Sequence, residues 1–316
     1  MEKFRSHNGF ARSFKENKLT IGLQIPIENY SEMPKMDLEE QMRLAKKAEE
    51  MEFASLWVRD SPLRDPSFGD AGLIYDPWIF LGYLTAHTQR IALGTSSIVT
   101  TYRHPLHLAK SAASMDKMSQ ERFLFGVATG DRPIEFPAFK VNREERAALF
   151  RETIDVVKKV WREPFPKIQT IRVDMNYGDI IPKPTLSDIP VFGTGFSGQS
   201  IEWLARNTDG WLFYPQIPDR QRELIKQWRL TAGEFKPFIQ PFGIVLSEDP
   251  NEVPLALSPS GFKTGYKFLI EYFYSLQEAG INHVPLALKF GYRPVEEVIQ
   301  EIGEFVVPHF KCTHEE

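Results

Sequence analysis

The sequence is short of the residues on which several common chemistries depend. It holds one cysteine, Cys312, near the C-terminus. That excludes a disulfide framework and a cysteine-ligated metal site, and it fits a reducing compartment. The seven histidines, His7, His87, His104, His107, His283, His309 and His314, make no H-E-x-x-H or comparable ligand spacing, so no metal is expected. There is neither a G-x-S-x-G elbow nor a G-x-x-x-x-G-K-[ST] loop, which removes most support for hydrolase and nucleotide triphosphatase readings. Nor is there a dense Lys/Arg block. The 38 basic residues stand against 42 acidic ones for a formal net charge of −4, and nucleic acid is not an expected partner. No run approaches the roughly 20 apolar residues of a membrane span, and the opening Met1-Glu2-Lys3-Phe4-Arg5-Ser6-His7 lacks an apolar core segment. A soluble, cytoplasmic protein without membrane contact is the expectation.

What is present is a chain of 316 residues, 42% apolar and 25% charged, long enough for one barrel or two compact domains. Residues 1–18 read as a polar arm. Leu19 to Pro26 then alternates as a strand does, and Asp37 with Glu40 three residues later opens a helix through Met51. The pattern repeats with strand 53–58 and a helix opened by Asp76-Pro77, with strand 90–97 and a helix opened by His104-Pro105, and with strand 123–129 and a helix over 142–161. Residues 165–190 break the rhythm and read as an inserted hairpin with its turn at Asn176-Tyr177-Gly178-Asp179. Strand 190–193 with helix 197–207, strand 210–214 with helix 219–230, strand 238–245 with helix 262–279, and strand 284–288 with helix 295–307 complete about eight βα units. The expected fold is an α/β (β/α)8 TIM barrel over residues 19–310, with a C-terminal tail over 311–316.

In a parallel barrel the site forms at the carboxyl ends of the strands. The sharpest signal there is Gly193-Thr194-Gly195-Phe196-Ser197-Gly198-Gln199-Ser200, between an apolar strand and an amphipathic helix. Glycines let a backbone approach a phosphate, and Ser197 is placed to cap the helix. The segment also satisfies G-x-G-x-x-G, but the next strand ends Leu212-Phe213-Tyr214-Pro215, without the acidic residue that a dinucleotide ribose requires. A mononucleotide phosphate site, a dinucleotide loop and a plain tight turn all remain open. The strand end Ala128-Thr129-Gly130-Asp131-Arg132 offers small residues for a flat ring, with Thr129 or Arg132 for its polar edge; a close-packed barrel corner is the alternative. Asp60 is a candidate acid/base group or ring contact, with an Arg59–Asp60 surface pair as the plainer reading. His104 is either a proton shuttle or the cap of its proline-started helix. Aromatic residues such as Trp211, Phe213 and Tyr214 belong to the core by default, and those at strand ends are candidates for an apolar pocket wall.

Along residues 19–310 the chain resembles the luciferase-like monooxygenase family. The resemblance rests on IGLQIP at 21–26, DPWIFLGYLTAHTQRIALGT at 76–95, RHPLHLAKSAASMDKMSQERFLFGVATGD at 103–131 and PVFGTGFSGQSIEWLARNTDGWLFY at 190–214. It implies a flavin-binding barrel, usually with FMN and in some relatives with a deazaflavin. By resemblance the flavin phosphate would sit on Gly195, Phe196, Ser197 and Gln199, helped by Thr129, and the ring would lie near Ala128, Thr129, Thr100 and Asp60. Asp60 or His104 would handle protons. The implied reaction oxygenates a small organic substrate with O2 and reduced FMN supplied by a separate reductase, in a homodimer. A deazaflavin- or nicotinamide-dependent hydride transferase and a non-enzymatic flavin-binding protein are the rival readings. The chain departs from the family where Asp60-Ser61-Pro62 ends strand two in place of a common histidine. A phosphate site after the fifth strand also departs from the usual barrel pattern of strands seven and eight. Substrate choice is expected to lie in loops such as 61–75 and 131–141.

Overall fold

The computed structural model describes residues 2–27, 37–65, 67, 74–258, 261–288 and 293–312. Eight parallel strands close into a barrel: β1 (Thr20–Ile25), β2 (Ser55–Val58), β3 (Ala92–Thr95), β4 (Phe123–Ala128), β5 (Val191–Thr194), β6 (Gly210–Leu212), β7 (Phe238–Ile239) and β8 (His283–Ala287). Each pairs with the next, and β8 returns to β1 with Thr20 opposite His283 and Leu23 opposite Leu286. Helices between successive strands complete the TIM barrel. Asp37 and Asp76 cap two of them as their spacing predicts, each side chain accepting two first-turn N–H groups.

Period two explains why the strands are apolar on both sides. Leu56 and Val58 face the helices while Trp57 faces the interior, and Phe123 and Phe125 alternate in the same way with Leu124. The interior layer is completed by the segment read as a polar arm. It forms a short helix, Asn8–Ser13, and buries Phe4, Phe10 and Phe14 against Trp57, Ala92, Leu124, Phe192, Leu212 and Ile239. This corrects the arm: Lys3, Arg5, Lys15, Glu16 and Lys18 stay exposed while its phenylalanines plug the barrel.

Above the plug His283 lies fully buried. The Thr20 hydroxyl donates to Ser13 O at 2.6 Å, so His283 Nδ1 supplies the proton in their 2.6 Å contact. Nε2 then accepts from Ser55 Oγ at 2.7 Å and Trp57 Nε1 at 2.9 Å. Gly22 makes room for this cluster, since a Cβ there would stand 2.2 Å from Ser55 Oγ.

Four boundaries differ from the sequence reading. Strand 238–245 is split: Gln240 N–H still reaches His283 O at 2.9 Å, but Pro241 has no N–H with which to continue the ladder. Residues Phe242–Leu246 resume beside β8, with Phe242 opposite Leu286, and also pair with Gly261–Thr264, which pairs antiparallel with Leu255–Ser258. The helix expected from Phe262 therefore starts at Tyr266. The inserted hairpin pairs Ile168–Gln169 with Asp174–Met175, so its turn falls at 170–173 and not at 176–179. The helix expected from Ser197 begins at Ile201 and is capped by Ser200, whose Oγ accepts from Trp203 N–H. Of the loop expected to govern substrate choice, residues 66 and 68–73 lie outside the described residues, as do 313–316 of the tail.

Burial pushes the His283 imidazole down to about 3 from an ordinary 6.5. A histidine held neutral in the fold and free to protonate when unfolded stabilises fully above pH 6.5. Its contribution falls as pH drops from there toward 3, by at most about 1.4 kcal/mol per pH unit. Urea unfolding as a function of pH is expected to lose this slope in His283→Gln relative to the wild type. An unchanged slope would contradict the assignment.

Candidate functional site

The carboxyl ends of the strands surround a cavity of about 450 Å³, within the range of small-molecule sites. Its wall includes Gln24 from β1, Arg59 and Asp60 after β2, Ser96 and Ser97 after β3, and Ala128 to Arg132 at the end of β4. Thr194 to Ser197, Tyr214, Phe242 and Leu257 close the other side. The glycine-rich segment does follow the fifth strand.

The segment works as a turn and not as a helix terminus. Gly195, Ser197 and Gly198 have φ of 53°, 47° and 68°, the left-handed region that glycine enters freely. Four consecutive carbonyls are taken by protein donors. Thr194 O accepts from Ser197 Oγ at 2.8 Å and Gly195 O from Trp211 Nε1 at 2.6 Å. Phe196 O accepts from Gln199 N–H at 2.8 Å, and Ser197 O from Gln199 Nε2 at 3.0 Å. In a planar trans peptide the next N–H points opposite the carbonyl. Anchoring Gly195, Phe196 and Ser197 carbonyls thus fixes the N–H groups of Phe196, Ser197 and Gly198, which have no acceptor among the described residues. Gly195 N–H is spent on Leu212 O. A run of unpaired N–H groups beside a cavity is an anion-binding concavity.

Gln199 does not itself face the cavity. It is buried, its Oε1 accepts from Arg151 Nε, and its Nε2 donates to Ala147 O at 2.9 Å as well as to Ser197 O. With all three sites occupied it shapes the turn and has nothing left for a phosphate, which corrects its expected role. Gly193 sits within β5 against Leu204, away from the cavity. Thr194 lines the cavity and shares a hydrogen bond with Ser97.

At the end of β4, Ala128, Thr129, Gly130 and Arg132 line the cavity. Arg132 is buried, with Nε 4.0 Å from Glu135 Oε1. Thr100 lies beneath this wall: its hydroxyl donates to Ala128 O at 3.1 Å, and that of Thr101 to Thr129 O at 2.9 Å. Thr100 therefore holds the strand end in place from outside the lining.

The two candidate proton carriers are both committed elsewhere. His104 caps its helix through Nδ1, while Nε2 donates to Arg172 O at 2.8 Å; the ring is exposed and outside the cavity. Asp60 does reach the cavity, but its partner is Arg103 and not Arg59. Arg103 Nη1 and Nη2 bind its two oxygens at 2.5 and 2.9 Å, and Val99 N–H adds a third bond at 2.8 Å. Burial pushes the carboxyl above its ordinary value, and Arg103 with the Val99 N–H offsets only part of that. A carboxylate so held ties the end of β2 to residues 98–103. No group of three or more His, Cys, Asp or Glu among the described residues is arranged to hold a metal ion, and no described helix is long and apolar enough to cross a membrane.

A family model for luciferase-like monooxygenases matches residues 19–253. The chain belongs to that family. Among curated members it is 31% identical over 162 residues to an uncharacterized protein of Mycobacterium tuberculosis, which covers 49% of this chain and 57% of that protein. It spans about half the length of the curated relatives it matches, from 57% down to 35%. Two solved structures share the luciferase-like barrel. Monooxygenase RslO1 from Streptomyces bottropensis superposes with a TM-score of 0.79 at 19% identity, over 92% of this chain and 100% of that one. An F420-dependent secondary alcohol dehydrogenase bound to an F420-acetone adduct superposes at 0.76 and 17% identity, over 93% and 99%.

The sequence missed Ser96, Ser97, Arg103, Leu257 and Trp211. The first two follow from applying the strand-end rule to every strand; the other three depend on partners distant in sequence. Asp60→Asn is expected to lower stability by about 3 kcal/mol in urea unfolding, because a mostly buried guanidinium loses its charged partner. Unchanged stability would show the carboxylate free to act as an acid or base.

Proposed function

We propose that this luciferase-like protein is an oxidoreductase that binds FMN at the barrel rim and uses the reduced form with O2 to oxygenate a small organic substrate. The observation that carries the reading is the carbonyl accounting at 194–197, which leaves amide donors of Phe196 and Ser197, two cavity-lining residues, without protein acceptors. A phosphate dianion is the complement of such a site. Thr129, on the adjoining strand end, adds a hydroxyl, and Ala128, Ser96, Ser97 and Val99 form the wall available to a flat ring.

When bound, the flavin supplies the electrons and activates the oxygen. The residues of this chain position and enclose it. Thr100 and Thr101 fix the β4 wall by their bonds to Ala128 O and Thr129 O. Asp60, through Arg103 and Val99, fixes the wall from β2. Tyr214, Phe242 and Leu257 give the opposite side aromatic and aliphatic surface against which an organic substrate displaces water. A separate reductase to supply reduced FMN, a homodimeric assembly and a single barrel domain over 19–310 belong to the same proposal.

A deazaflavin hydride transferase is the second reading, favoured by the F420-dependent structure that shares this barrel. The absorption spectrum of protein purified without added cofactor separates the two, since flavin and deazaflavin absorb differently. Titration with FMN tests the site itself. Ser197→Asp brings a negative charge to the turn at a left-handed position that Asp tolerates, and it is expected to weaken FMN binding on the order of a hundredfold. Equal FMN affinity in the two proteins would place the phosphate elsewhere.

A further inference from the structure

The phosphate proposed for the turn is a dianion, yet the turn offers it only neutral amide groups. Arg151, on the helix Arg146–Arg162, stands behind the turn and not in the cavity wall. Its Nε donates to Gln199 Oε1, and the Gln199 amide on its other side donates to Ser197 O. The chain of contacts runs guanidinium, carboxamide, peptide. A cation on the oxygen of an amide polarises it and strengthens the donation of its NH2 group. The Ser197 carbonyl so held sets the Gly198 N–H on the opposite side of the same peptide. Gln199 also anchors Phe196 O through its own N–H, which sets the Ser197 N–H. Two of the three free amide donors therefore depend on where Gln199 sits, and Arg151 holds Gln199.

We propose that Arg151 is a positioning residue for the anion-binding turn, acting through Gln199 to orient the Ser197 and Gly198 amides and adding a positive charge behind the turn to those of Arg59 and Arg132 in the cavity wall. The inference rests on the reading that a flavin phosphate occupies the turn. Arg151 touches no cavity-lining surface, and its side chain is exposed, so replacing it leaves the core intact. The neighbouring charges are Asp155, which Arg151 and Lys158 both attract, and Glu202 at the start of the following helix.

The experiment compares FMN with riboflavin, which lacks the phosphate, as fluorescence-quenching titrations at low and high salt. Wild type is expected to prefer FMN. Arg151→Gln is expected to weaken FMN binding about fivefold to tenfold at low salt, the scale of a single charge acting across a partly exposed site, while riboflavin binding stays within about twofold. Arg151→Lys, which keeps the charge and a donor for Gln199, is expected to recover most of the preference. A merely structural role would weaken both flavins together, and that result, or an unchanged FMN preference in Arg151→Gln, overturns the inference. Equal affinity of the wild type for the two flavins removes the phosphate reading itself and the inference with it.

Discussion

A trans peptide cannot turn its carbonyl one way without turning the following N–H the other way, and the rim of this barrel is organised by that constraint. Between Thr194 and Ser197 every carbonyl has a protein donor, supplied by Ser197 itself, by Trp211 across the sheet and by Gln199 twice. The amide groups left over are thereby committed to the other side before any ligand arrives. Left-handed backbone at Gly195, Ser197 and Gly198 makes the tight path possible. Pre-set donors are the economical way to recognise an anion, because no loop has to be ordered at the moment of binding.

The rest of the cavity repeats the logic of committed groups. Asp60 is engaged by three donors and His104 by two partners. Their work is to hold the ends of β2, β3 and β4 as one wall. Below the rim the interior is sealed by His283 and its partners and then by the three phenylalanines of the N-terminal segment.

The βα succession was legible because its signals are local. Strands buried on both faces are short apolar runs, and Asp37 or Asp76-Pro77 marks a helix start wherever it falls. The glycine-rich turn and the β4 end were legible for the same reason. What the sequence hid was non-local. Phe4, Phe10 and Phe14 are interleaved with charges and find burial only once a barrel exists around them. Asp60 meets an arginine 43 positions away and Gln199 one 48 positions away, and no spacing rule reports such encounters. The split of the seventh strand at Pro241 was available in principle, since proline cannot continue a ladder, but the apolar residues on either side masked it.

The central claim is that the turn at 194–198 holds a phosphate dianion. Phosphorus NMR of FMN titrated with the protein tests it most directly, because the signal comes from the atom in question. Free phosphate monoesters change protonation near pH 6. The account predicts a bound resonance displaced from the free position and constant from roughly pH 5 to pH 8, as amide donors hold the dianion. A bound flavin whose phosphorus still titrates near pH 6, with the shift of the free cofactor, would leave the phosphate in solvent and contradict the account.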